Sequence, residues 1–144
     1  MGPLGAGRTI KLDLADDELV VNTEERSLLR RWTDLPEVPV VAYTTLEITA
    51  EKLRCVLQRL QCRDLLDLDL LLSDQDLADA VELFRSKATH KGLDPATFAE
   101  KFEKRVTEYE KRWERELGEY LGEVPHFDEV ERRVRRELRR AQLL

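Results

Sequence analysis

A chain of 144 residues that is 42% hydrophobic and 38% charged can bury one core of amphipathic helices, and no second independent domain is expected. Its net charge of −6 argues against generic binding to a polyanion. No apolar run approaches the ~20 residues that span a bilayer, and residues 1–9 lack the apolar centre of a signal peptide, so a cytoplasmic protein without membrane contact is expected.

Residues 1–9 open with a glycine-rich stretch without periodicity, which reads as disordered or as a cloning remnant. Residues 10–144 read as one domain, with a small sheet and one short helix over 10–43 and a helical part over 44–144. Ile10, Leu12 and Leu14 alternate with Lys11 and Asp13, the pattern of a half-buried strand, and Leu19 to Val21 could pair with it. Thr23 is placed to cap a short helix through Ser27, Leu28, Leu29 and Trp32, ended by the two prolines between Asp34 and Pro39. Val40 to Tyr43 then reads as a brief strand. Together these predict a small sheet of about three strands, with edges that could pair with a second copy of the chain.

The stretch from Thr44 to Leu72 is where charged residues recur at fixed intervals within apolar segments. Thr44 and Glu47 have the spacing of a capping box, so a helix should start near Thr45. Leu46, Ala50, Leu53, Leu57 and Leu60 form its apolar stripe. Lys52, Val56, Arg59 and Arg63 follow the same steps, so one continuous helix would carry three cations in a row, an arrangement suited to a polyphosphate. The following leucines, from Leu65 to Leu72, surround a helix that should be buried on all sides, yet it holds Asp64, Asp67 and Asp69. Buried carboxylates are costly unless paired or metal-bound. Either Arg63 pairs with Asp67 one turn on and these groups only join helices, or they carry chemistry.

Cys55 and Cys62 would stand roughly 10 Å apart on a continuous helix, beyond disulfide reach, and with His90 and His126 isolated no zinc spacing exists; free thiols are expected. Ser73 should start the next helix, which Gly92 stops, and Asp94-Pro95 should open a longer one. Along that helix Phe98, Phe102, Tyr109, Trp113 and Tyr120 make an aromatic row whose spacing says core rather than nucleobase stacking. Glu100/Lys104 and Glu108/Arg112 should pair on its wet side. The last helix turns Phe127, Val130, Val134, Leu138 and Ala141 inward and six arginines outward, a local balance of +4 over residues 130–140. Those arginines read as a solvated face, or as a contact for RNA phosphates or an acidic partner.

The run Ala50-Glu51-Lys52-Leu53-Arg54, then Gln58-Arg59, then Arg63-Asp64-Leu65-Leu66-Asp67-Leu68, resembles the signature of the AbiEii/AbiGii nucleotidyltransferase toxin family, the toxins of type IV toxin–antitoxin or abortive-infection systems. Weaker likeness extends on both sides, from Arg8 to Leu138. The resemblance implies an α+β, partly nucleotidyltransferase-like fold that transfers a nucleotide from a nucleoside triphosphate, with Mg²⁺ as cofactor and tRNA or another RNA end as acceptor. It also implies an antitoxin protein as a partner. Lys52, Arg59 and Arg63 would bind the nucleotide, Asp64 and Asp67 would be the catalytic carboxylates or hold the basic row, and Asp13 would be a metal carboxylate on a neighbouring strand. The family's N-terminal Gly-Ser and Asp-x-Asp motif has no counterpart here, because Asp67/Asp69 and Asp74/Asp76 lie in or beside predicted helices where the two acids face different ways. The sequence thus resembles the C-terminal part of such an enzyme. The competing expectation is a non-catalytic helical module that binds an antitoxin or RNA.

Overall fold

A computed structural model describes residues 14–28, 34, 36–72 and 77–144. Among the described residues the architecture is α+β, a two-stranded antiparallel sheet followed by five helices: β1 (Thr23–Ser27), β2 (Pro39–Tyr43), α1 (Thr45–Gln58), α2 (Cys62–Leu71), α3 (Leu77–His90), α4 (Phe98–Leu117) and α5 (Phe127–Arg140). The expected strand over Ile10–Leu14 lies outside the described residues except for Leu14, which is exposed. The expected Ser73 helix start and Trp32 lie outside them as well.

Thr23 does not start a helix; it starts β1, which pairs with β2 from Thr23↔Tyr43 to Ser27↔Pro39. The physical reason is that Thr-Glu-Glu-Arg-Ser has no apolar side chain for a helix to bury, whereas the Val40-Val41 strand offers its backbone a ladder. One further backbone bond extends the pairing at each end, Leu28 N–H to the Val38 carbonyl at 3.1 Å and Thr44 N–H to the Asn22 carbonyl at 3.2 Å. Pro39 sits at the strand end, where its missing N–H costs least. Leu19 to Val21 join no ladder among the described residues; the Val21 amide goes to a side chain of α1 instead.

Thr44 caps α1 as expected, its hydroxyl accepting from the Glu47 N–H at 3.2 Å. The reciprocal half of the box is not made, because Glu47 turns inward. At the far end of α3, Gly92 adopts φ +68, and the Gly92 and Leu93 amides close on the Thr89 and Ala88 carbonyls, a left-handed stop that suits glycine. Asp94 then caps a single 3₁₀ turn at Pro95–Thr97 that runs into α4.

The core draws on all five helices, with Leu53 and Leu57 from α1, Leu65 and Leu68 from α2, Phe84 from α3, Trp113 from α4, and Val134 and Leu138 from α5. Phe98, Phe102, Tyr109 and Trp113 are buried as their spacing predicts, but Tyr120 lies past the end of α4 and is 71% exposed. α2 is not buried all round: Leu65 and Leu68 face the core, while Leu70 is 68% exposed. Helix α1 packs against both α2 and α3, and α2 also rests on α4 and α5. This puts the α1–α2 junction at the centre of the helical part.

Candidate functional site

The site forms because α1 does not continue to Arg63. It ends at Gln58, Arg59 and Gln61 are extended, and α2 begins at Cys62. No glycine or proline marks this break, and both loose ends are capped by α4. Arg105 donates to the carbonyls of Val56, Leu57 (3.1 Å) and Arg59 (3.2 Å), while Glu116 accepts the Cys62 N–H at 3.1 Å. The three-cation row expected on one continuous helix is therefore not formed. Arg63 is exposed and donates to Gln61 at 3.0 Å, away from the other two.

The elbow instead folds Asp64 back onto Lys52 and Arg59. Asp64 is fully buried. The Arg59 guanidinium donates to both of its oxygens, Nε to Oδ2 at 2.8 Å and Nη2 to Oδ1 at 3.0 Å, a two-point clamp. Lys52 Nζ reaches Asp64 Oδ1 at 3.2 Å and Asp67 Oδ2 at 2.6 Å. Asp67 thus pairs with Lys52 across the elbow and not with Arg63 one turn back. Burial pushes the Asp64 carboxyl up, but the Arg59 bonds and the Lys52 charge outweigh it and hold the group below its ordinary value. Burial lowers Lys52, and the Asp67 and Asp64 carboxylates more than offset it, so its pKa is raised. The Arg59 pKa is raised as well, first by its bonds to Asp64. All three groups are locked in their charged forms near neutral pH. The Lys52 side chain is 22% exposed and that of Arg59 41%, so both cations sit on a buried anchor with an open side.

A second ionic cluster lies on the opposite side of α1, and sequence reasoning missed it. Glu47 (0% exposed) accepts from Lys87 Nζ (residue 3% exposed) at 2.6 Å and from the Asn22 N–H at 2.9 Å. Lys87 also donates to the Leu19 carbonyl at 2.6 Å, and Lys91 pairs with Asp17 at 2.7 Å and Glu18 at 3.2 Å. These contacts clasp residues 17–22 onto α1 and α3. One signal was available: Glu47 lies three residues before Ala50, and Lys87 lies between Phe84 and Ala88, so an acid and a base each stood on a core stripe. Glu51 and Arg54 extend the cluster along α1, with Arg54 Nε 3.0 Å from both Glu51 oxygens.

Elsewhere several charged groups join helices to one another. Asp69 faces away from Asp67, as their spacing requires, and takes a two-point contact from Arg133 at 2.8 and 2.7 Å. Arg135 binds Glu103 and Glu131 and lies 5.5 Å from the Phe102 ring centroid. Two of the six arginines thus hold α5 to its neighbours rather than facing outward. Glu100 pairs with Lys104 as expected, but Glu108 takes Lys111, and Arg112 turns to Glu116. Cys55 and Cys62 are buried free thiols, pushed by burial up to about 11 and about 12, and stay protonated.

Among the described residues, no three His, Cys, Asp or Glu side chains converge into a group that could hold a metal ion. Both Asp64 oxygens are engaged by Arg59 and Lys52, which leaves Asp67 as the one elbow carboxylate with an oxygen outside the ion pairs, too few ligands for a metal centre. Asp13, the expected metal carboxylate, lies outside the described residues. No helix among them is long and apolar enough to cross a membrane.

The fold and the site define an α+β protein whose helical part presents two clamped cations on one buried carboxylate. Over residues 3–133 the chain matches the model of the AbiEii family, described as a nucleotidyl transferase toxin of a type IV toxin–antitoxin system, and it belongs to that family. No curated protein and no solved structure matches it. Membership supports nucleotidyl transfer as the reaction class and a toxin–antitoxin setting, and enzymes of this class generally use divalent metals.

Proposed function

We propose that the elbow between α1 and α2 is the substrate-side half of a nucleotidyl-transfer site, which moves a nucleotide from a nucleoside triphosphate onto an RNA end such as that of tRNA. The observation that carries this reading is the anchoring of Lys52 and Arg59 on fully buried Asp64, which leaves both cations preorganised and open on one side. In the reaction, an RNA hydroxyl attacks the α-phosphorus, the bond to the β-phosphate breaks and pyrophosphate leaves. Lys52 and Arg59 bind phosphate oxygens and balance the growing negative charge. Asp64, with no free oxygen, positions them. Asp67, whose side chain is 38% exposed, is the carboxylate able to take the hydroxyl proton once a phosphate draws Lys52 away. Arg63 stands apart and would reach only the outer part of a bound nucleotide. Mg²⁺, with Asp13 among its ligands, belongs to this proposal, and of the elbow's two carboxylates only Asp67 has an oxygen outside the ion pairs. A cytoplasmic location and an antitoxin protein as partner complete the reading.

The test is transfer of labelled nucleotide to tRNA in the presence of Mg²⁺, together with calorimetric titration by each nucleoside triphosphate. Lys52→Ala should abolish saturable binding and Asp67→Asn should lower transfer more than binding. Intact transfer by both variants would sink the assignment.

A second reading is favoured by one observation: the charges of Lys52, Arg59, Asp64 and Asp67 cancel one another, as in a structural ion-pair network. On that reading the helices form a non-catalytic module that binds an antitoxin or RNA. Antitoxin or tRNA binding unaffected by Lys52→Ala, with no nucleotide binding, would select it.

A further inference from the structure

We propose that the shallow apolar cleft beside Lys52 and Asp67 is the subsite for the base of the bound nucleotide, an inference that rests on the nucleotidyl-transfer reading of the same residues. The cleft holds about 260 Å³ and is lined by Ile48, Lys52, Asp67, Leu70 and Leu71. Its origin is local. Ile48 lies one turn before Lys52 on α1, and Leu70 and Leu71 lie one turn after Asp67 on α2, so the helices that bring the cation and carboxylate together also supply an aliphatic wall. Ile48 is 36% exposed and Leu70 68%, on helices whose other aliphatic side chains are mostly turned inward.

The wall and its rim ask for different chemistry. A ligand that fills the cleft needs an apolar face at one end and negative charge at the other, where Lys52 stands; a nucleotide has both. The volume is below the ~300–1,000 Å³ of pockets that enclose a whole drug-sized ligand, so it accommodates one ring system and leaves sugar and phosphates outside. That orientation puts the phosphates over Lys52 and Arg59. The aliphatic side chains of Ile48, Leu70 and Leu71 meet the flat apolar area of a base, which leaves only the Lys52–Asp67 pair at the rim for its edge. Discrimination among the four bases should therefore be weak, as with other apolar pockets.

The experiment compares binding of nucleoside triphosphates with binding of inorganic tripolyphosphate, using the full chain with Mg²⁺ and two variants, Leu70→Gln and Ile48→Gln/Leu70→Gln. Both positions are open to solvent, so the fold should survive, which circular dichroism checks. The expected result is that the wild type prefers nucleoside triphosphate to tripolyphosphate, and that the double variant binds nucleoside triphosphate about ten-fold more weakly with tripolyphosphate unchanged. Equal affinity for the two ligands, unmoved by either variant, would overturn the base subsite and leave the phosphate reading standing. If the wild type bound neither ligand, the nucleotide reading would fall and the subsite with it.

Discussion

The two faces of α1 carry ionic clusters built from the same residue types with opposite boundary conditions. On one face Glu47 and Lys87 are both sealed; they bond the backbone of residues 19–22, and Lys87 also lies 3.6 Å from Glu51 on the same helix face. On the other face only the acid, Asp64, is sealed, and its two cations reach solvent. A pair closed on both sides can do little but hold chain segments together. A pair closed on one side holds charge in place for something else to meet, and on the proposed reading the first cluster serves architecture and the second binding.

The contrast should break most severely at Glu47. Glu47→Ala leaves the buried Lys87 ammonium with only the longer, 3.6 Å contact to Glu51 as counter-charge and strands the Asn22 amide, so a loss toward the low end of the about 3–5 kcal/mol for removing one partner of a buried pair is expected. Urea unfolding should show that loss. Asp64→Asn comes next: it removes a charge from bonds with Arg59 and Lys52, each worth about 1.5–3 kcal/mol when ionised, but both cations can swing to water, so a loss near the low end of that range is expected. Its nucleotide binding should fall further than its stability.

Acid titration sharpens the comparison. Asp64 has a folded pKa below its ordinary value of 3.8, so its stabilising contribution is full above that value and is lost as pH falls through the lowered one. Wild-type unfolding free energy should therefore decline below about pH 4, and Asp64→Asn should flatten part of that decline. Lys52, raised above 10.5, works in the other sense, its contribution full below that value and lost only as pH rises past its folded pKa. The smallest effect is expected at Tyr109, whose buried hydroxyl has no hydrogen-bond partner among the described residues. Tyr109→Phe removes a desolvated polar atom and should leave thermal stability unchanged or raise it by up to about 1 kcal/mol.

Much of this was legible in the sequence wherever local chemistry decides the outcome. The Thr44 cap, the Gly92 stop, the Asp94-Pro95 start and the buried aromatics of α4 follow from side-chain spacing and turn preferences alone. Lys52, Arg59, Asp64 and Asp67 were also visible as charges inside apolar periodicity, and the fold does bring these four together. What could not be read was the partner of each, because the break after Gln58 is imposed by Arg105 and Glu116, 46 to 57 positions further along the chain. Without that break Lys52, Arg59 and Arg63 lie in a row; with it, Arg63 drops out and Asp64 enters. The Thr23 segment failed for a related reason: the four residues after the cap, Glu24 to Ser27, give a first helical turn nothing apolar to bury, whereas β2 offers their backbone a partner.

Arg105 and Glu116 stand on one helix, roughly 16 Å apart along its axis, one gripping the end of α1 and the other the start of α2. Helix α4 is in effect a splint across the elbow, and a splint makes local opening expensive. The Arg59 and Cys62 amides, although they flank a break between helices, should exchange with deuterium as slowly as the centre of α4. Arg105→Met would then release them to exchange from a partly opened state, with the bulk of the helical part still protected.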